Sequence, residues 1–160
     1  MLSSGEIQEI EAEFPNYADK RAVCIDALKI VQQHRGGWVS DDALRDLADY
    51  LEMTTDELDG VATFYNLIFR KPVGKHVVLL CNSVSCYVMD YESIRRYFKE
   101  ALQVDFGGTT ADGNFTLLPT ACLGICDHAP AMMVDGDTYT QLDSQNIGVV
   151  LDTYRRQESQ

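Results

Sequence analysis

The sequence predicts an α+β protein in two parts, a helical bundle over residues 1–73 and a mixed strand-and-helix domain over residues 74–160. Two observations carry this. Before Arg70, apolar residues recur at the spacing of one helix face. After Gly74, short and nearly continuous apolar runs, the mark of buried strands, alternate with helical stretches. The change of character falls at Arg70-Lys71-Pro72-Val73-Gly74, where proline and glycine break the helical pattern.

In the first part a helix is expected near residues 5–14 and a second over about residues 19–34, with Val23, Ala27, Ile30 and Val31 on or near one face. Gly36-Gly37 ends it. Ser40 is a candidate N-cap for a third helix through Leu44, Leu47, Ala48 and Leu51. Thr54 and Glu57 have capping-box spacing and open a fourth through Leu58, Val61, Phe64, Tyr65 and Ile68. Val61 and Phe64 are expected in the core. A bundle this small needs something further to pack against.

In the second part, residues 76–81 read as a buried strand. Residues 90–102 read as a helix, with Ile94, Tyr97, Phe98 and Ala101 at helical spacing. Asp112-Gly113 is a turn before a strand over residues 115–119. Asp135-Gly136, between Met132-Met133-Val134 and Thr138-Tyr139, is a two-residue hairpin signal. Ser144 is placed to cap a last helix through Ile147, Val150, Leu151 and Tyr154.

Composition narrows the function. The chain has 160 residues, 46% of them hydrophobic, and 25 acids against 13 Lys plus Arg, for a net charge of −12. Its basic residues cluster only as pairs, such as Lys20-Arg21 and Arg95-Arg96, which excludes a phosphate-binding surface and so nucleic acid. The apolar runs are too short for direct membrane insertion. The first residues, MLSSGEIQEIEAEF, lack a basic region followed by an apolar run, so no secretory signal is expected, and their acidity argues against a mitochondrial transit peptide. A soluble cytoplasmic chain is the expectation. No G-x-G-x-x-G stands in the sequence, so a dinucleotide is expected to bind elsewhere. Neither a Ser-His-Asp set nor a carboxylate pair stands out, and no catalytic residue is assigned. The acidic residues read as solvated helix faces.

Five cysteines in a chain expected to meet a reducing cytosol point to metal or redox chemistry rather than disulfides. Four form two pairs: Cys81 and Cys86 as C-x4-C, and Cys122 and Cys126 as C-x3-C. Each pair begins at or just past the end of a predicted strand. If those strands are parallel neighbours joined by the helix over residues 90–102, both loops leave the same sheet edge and all four sulfurs meet. Four thiolates at one point need a cation. The spacers favour a [2Fe-2S] cluster, which takes two thiolates per iron. A tetrahedral zinc site, two structural disulfides and a catalytic dithiol are the competing contents. Gly124 lets the second loop turn backbone N–H groups toward sulfur. Cys24 reads as a buried structural thiol on a helix. His128 reads as a surface group or a neighbour of the ligands, and His34 and His76 as structural.

The segment Gly60-Val61-Ala62-Thr63-Phe64-Tyr65 is followed by Cys81-x4-Cys86 and Cys122-Leu-Gly-x-Cys126-x3-Pro130. This pattern resembles the thioredoxin-like [2Fe-2S] component of respiratory complex I, known as its E or 24 kDa subunit. The likeness spans roughly residues 10–154. It implies a helical bundle ahead of a thioredoxin-like ferredoxin domain, with one [2Fe-2S] cluster on Cys81, Cys86, Cys122 and Cys126. It also implies a neighbouring flavoprotein subunit that binds NADH and FMN, electron exchange between that flavin and the cluster, and a place in the peripheral arm at the cytoplasmic face of the inner membrane. Equivalent subunits of NAD-dependent formate dehydrogenases or NAD-reducing hydrogenases, and a zinc-binding interaction module, are the alternative readings.

Overall fold

Side-chain oxygens start three of the four helices in the first part of the chain. Ser3 and Glu6 form a reciprocal capping box at α1 (Ser4–Glu13), Ser40 accepts from the Ala43 N–H at α3 (Asp41–Leu51), and Thr54 and Glu57 form a second capping box at α4 (Thr55–Phe64). Each supplies an acceptor to N–H groups that a helix start leaves without partners. Helix α2 (Cys24–His34) lacks such a cap and begins later than its apolar spacing suggests. Asp19 is the reason: its carboxylate accepts from the N–H groups of Arg21 and Ala22 and folds the preceding residues into a turn. The computed structural model describes residues 1–157, in two compact units that part between Pro72 and Val73.

The four helices of the first unit close on Ile10, Val23, Leu28, Val31, Leu44, Leu47, Leu51, Leu58 and Ala62, all buried. Two expectations change here. The fourth helix stops at Phe64, because Tyr65 turns extended, and Ile68 reaches the core from a following turn in which its N–H bonds to the Tyr65 carbonyl. Phe64 is not core: it is 80% exposed. A helix turns about 100° per residue, so the face set by Leu58 and Ala62 leaves Phe64 on the far side, with Val61 half-buried beside the seam.

One acid departs from the solvated reading. Glu6 is buried, and the Arg35 guanidinium holds it with two bonds of 2.7 and 3.2 Å while also reaching Asp46 at 3.2 Å. The Arg35 bond outweighs the burial that opposes ionisation and brings the Glu6 carboxyl down to about 2.

The second unit is a four-stranded sheet in the order β2-β1-β3-β4. Strand β1 (His76–Cys81) runs parallel to β2 (Phe115–Thr120), and β3 (Met132–Val134) is antiparallel both to β1 and to β4 (Asp137–Tyr139). Asp135 and Gly136, both at positive φ, make the expected tight hairpin between β3 and β4. Helices α6 (Tyr91–Leu102) and α7 (Ser144–Gln157) bring Ile94, Phe98, Ile147 and Leu151 against Val78, Leu80, Phe115, Leu117 and Met132 of one sheet face. Ser144 is the first residue of α7 rather than its cap. Asp143 does that work, accepting from the N–H groups of Gln145 and Asn146 at 2.8 Å each. Between β1 and α6 lies a further helix, α5 (Val84–Val88), that periodicity could not reveal in so short a stretch.

Glu6 has a folded-state pKa below its unfolded value, so its stabilisation is full above about pH 4.5 and is lost as pH falls toward 2. Glu6→Gln should therefore cost up to roughly 3 kcal/mol at neutral pH and little at pH 2. Denaturant unfolding of both proteins at several pH values reads this directly.

Candidate metal centre

The parallel pairing of β1 with β2 sets the site. Cys81 closes β1 opposite Thr120, the last residue of β2, so the two strands end level. Beyond them the Asn82 N–H bonds to the Thr120 carbonyl and the Cys81 N–H to the Ala131 carbonyl, each at 3.1 Å. The chain leaves β1 into α5, which carries Cys86, and leaves β2 into the loop of Cys122 and Cys126. Both pairs therefore emerge at one end of the sheet, as the spacing anticipates.

The pairs differ in exposure. Cys81 and Cys86 are buried against Ala129 and Ala131, whereas Cys122 and Cys126 are exposed, their sulfurs 3.2 Å apart. The loops also interlock. The Cys81 sulfur receives the N–H groups of Ser83 and of Leu123, which belongs to the opposite loop. The Cys126 sulfur meets the Ser85 hydroxyl from α5, and the Cys86 sulfur meets the Ala131 N–H. Gly124, at φ +82°, turns its N–H to the Cys122 sulfur at 3.4 Å. Sequence reasoning missed Ser83, Ser85 and the Leu123 and Ala131 N–H groups. Ser83 carried a faint signal: it occupies the N-cap position of α5, yet its hydroxyl makes no cap bond and goes to Cys81.

These contacts set the electrostatics. Burial opposes ionisation of Cys81, but the N–H of Ser83, the Cys86 thiol and the Leu123 N–H bring it below the usual thiol value. Burial pushes Cys86 up to about 11, with the neighbouring Cys81 adding to the rise. The Cys122 thiol raises Cys126. Neither Lys nor Arg occurs between Lys75 and Arg95 or between Lys99 and Arg155, so no local cation from these segments answers the thiolates.

Among the described residues, no three His, Cys, Asp or Glu side chains gather as ligands of one ion. The thiols stand two and two, with backbone N–H groups aimed at sulfur. That donor set fits a two-iron cluster, in which each iron takes two thiolates and N–H bonds tune the sulfurs. His128 is exposed and lies 3.3 Å from Asp127. Cys24, at the start of α2 in the other unit, is half-buried rather than buried, and its partial burial raises its thiol. Around the cysteines, Val84, Tyr87, Val88 and Met89 of α5 and its end are exposed.

The sequence pattern of the thioredoxin-like [2Fe-2S] ferredoxins matches residues 7–155. The chain belongs to this family. Among its relatives is the E subunit of the NADH-quinone oxidoreductase of Escherichia coli, 47% identical over 96% of this chain and 92% of the relative. The protein of the same name in Pseudomonas aeruginosa is 45% identical with the same coverage. In fold the chain is similar to part of a NAD+-reducing [NiFe]-hydrogenase, with a TM-score of 0.68 and 24% identity over 81% of this chain and 23% of that one.

In the metal-free protein, kept reduced, Cys122 and Cys126 should alkylate at least about tenfold faster than Cys81 and Cys86, since the first pair is exposed and the second buried. Timed iodoacetamide labelling with peptide mass spectrometry tests it.

Proposed function

We propose that this chain is the electron-carrying E-type component of an NADH–quinone oxidoreductase and that Cys81, Cys86, Cys122 and Cys126 ligate its one [2Fe-2S] cluster. The observation that carries the ligand set is the interlocking of the two cysteine loops at one end of the sheet, where each loop donates a hydrogen bond to a sulfur of the other. Family membership and the near-full-length likeness to the two bacterial relatives support the parent complex.

When bound, the cluster takes up and releases one electron at a time, here in exchange with the FMN of an adjoining NADH-binding flavoprotein subunit. The chain's own residues do the rest. Cys81 and Cys86 form the buried wall of the site, and Cys122 and Cys126 its open side. The Ser83, Leu123 and Gly124 N–H groups stabilise charge on sulfur. Among the described residues no helix is long and apolar enough to cross a membrane. The likeness to the bacterial E subunits supports a place at the cytoplasmic face of the inner membrane, held there through the complex.

Anaerobically purified protein should contain about two irons and two acid-labile sulfides per chain, with an EPR signal only after dithionite. Cys122→Ala should lose the visible spectrum, because ligand removal releases both cluster and loop. An unchanged spectrum in that variant would remove Cys122 from the ligand set, and zinc without an EPR signal would overturn the electron-transfer role.

A further inference from the structure

The two cysteine pairs differ in a way that matters before any iron arrives. The Cys122 and Cys126 sulfurs lie 3.2 Å apart on an exposed loop. A disulfide holds its sulfurs about 2.05 Å apart, so closing the gap takes a shift of roughly 1 Å. The loop is already folded for it. Gly124, at φ +82°, turns the chain between the two residues and directs its N–H to the Cys122 sulfur at 3.4 Å. Past Cys126 the chain is tied down. The His128 N–H bonds to the Ile125 carbonyl at 3.0 Å, and the His128 carbonyl accepts from the Gln141 N–H at 2.8 Å. Cys81 and Cys86, by contrast, are buried against Ala129 and Ala131, out of reach of a reagent in solution. Cys24 belongs to the other unit and is half-buried.

We propose that Cys122 and Cys126 form a redox switch on cluster loading: in the metal-free chain they oxidise to one intramolecular disulfide, which bars the [2Fe-2S] cluster until it is reduced. This rests on the reading of the four cysteines as the ligands. The oxidant is a small-molecule disulfide. A thiolate of the exposed pair attacks one sulfur of the reagent, breaking its S–S bond and expelling a first thiolate. The neighbouring thiolate then attacks the protein sulfur of the mixed disulfide, breaking that bond and expelling a second. The cysteine pair gives up two electrons and two protons, and the reagent takes both and ends as two thiols. The second step is intramolecular, with the attacking sulfur already close, so the mixed disulfide is short-lived.

The consequence for loading follows from the ligand count. Each iron of the cluster takes two thiolates, so Cys81 and Cys86 alone supply one iron. A dithiol reductant runs the exchange backward and returns all four ligands. In a reducing compartment the switch stays open, and a rise in small disulfides closes it. The disulfide also keeps the two exposed sulfurs off the path to sulfinic and sulfonic acids, which thiols do not reverse.

The test takes the full chain, metal-free and reduced, and treats it anaerobically with bis(2-hydroxyethyl) disulfide. This probe is neutral, which suits a loop carrying the exposed Asp127. Peptide mass spectrometry should show Cys122 joined to Cys126, with Cys24, Cys81 and Cys86 still thiols. Cys126→Ser should instead stop at a lasting mixed disulfide on Cys122. Given iron(II) and stoichiometric sulfide, the oxidised chain should gain visible cluster absorption at an initial rate at least about tenfold below that of the reduced chain. Prior treatment with dithiothreitol should restore the rate. Five unchanged thiols, a Cys81–Cys86 bond or a bond between the loops would each overturn the switch. So would an oxidised chain that loads as fast as the reduced one. In all these cases the ligand assignment stands if the reduced chain gains its cluster. A reduced chain that forms no two-iron cluster would overturn both.

Discussion

The parallel pairing of β1 with β2 is the constraint on which the centre depends. Its register ends both strands level, at Cys81 and Thr120, and a slip of one residue would turn every side chain of the slipped strand to the opposite sheet face. Cys81 would then leave its place beside Cys86, and the Leu123 N–H would lose its sulfur. The register is held by burial: Val78, Leu80, Phe115 and Leu117 share the face covered by α6 and α7. A polar tie adds to it where the strands begin, since the Gly74 N–H donates to the Thr116 hydroxyl at 2.6 Å. Gly74 itself is required there, because a side chain would come within 2.9 Å of the Gly113 carbonyl.

Much of this is written in short-range patterns. Ser40, the Thr54–Glu57 box and the Asp135-Gly136 hairpin are local chemistry, and local chemistry survives folding. The His76–Cys81 strand is nearly all apolar, and its parallel neighbour follows from having a helix between them. What the sequence concealed was competition between signals. Asp19 used its carboxylate on a turn and delayed α2, and Asp143 took the cap position offered by Ser144. Phe64 shows the deeper difficulty. An aromatic residue at the end of an apolar helix reads as core, and only the angular position set by Leu58 and Ala62 reveals that it faces out. In the site, the cysteine spacing announced the ligand candidates but not their partners. Backbone N–H groups such as those of Leu123 and Ala131 carry no side-chain signature, so their aim at sulfur emerges only from the path of the loops.

The two units solve different problems with different means. The first is stabilised by caps, by a close-packed apolar seam and by the Glu6–Arg35–Asp46 set. A carboxylate this buried persists only because a guanidinium meets both of its oxygens. The second arranges four thiols that would otherwise repel, and it does so with a short helix, a glycine at positive φ and N–H donors rather than with cations. Burial is graded across the four sulfurs, two inside and two at the surface, so the site has a closed back and an open front.

The stretch between Lys99 and Arg155 has no Lys or Arg, while the exposed Asp127 stands next to Cys126 at the open front. A negative potential over the open front acts on everything that diffuses toward it. Small anionic oxidants and reductants should approach the sulfurs more slowly than neutral ones of the same size, most visibly at low ionic strength. A charge of this sign at the open front favours carriers whose contacting surface is neutral or cationic over anionic ones.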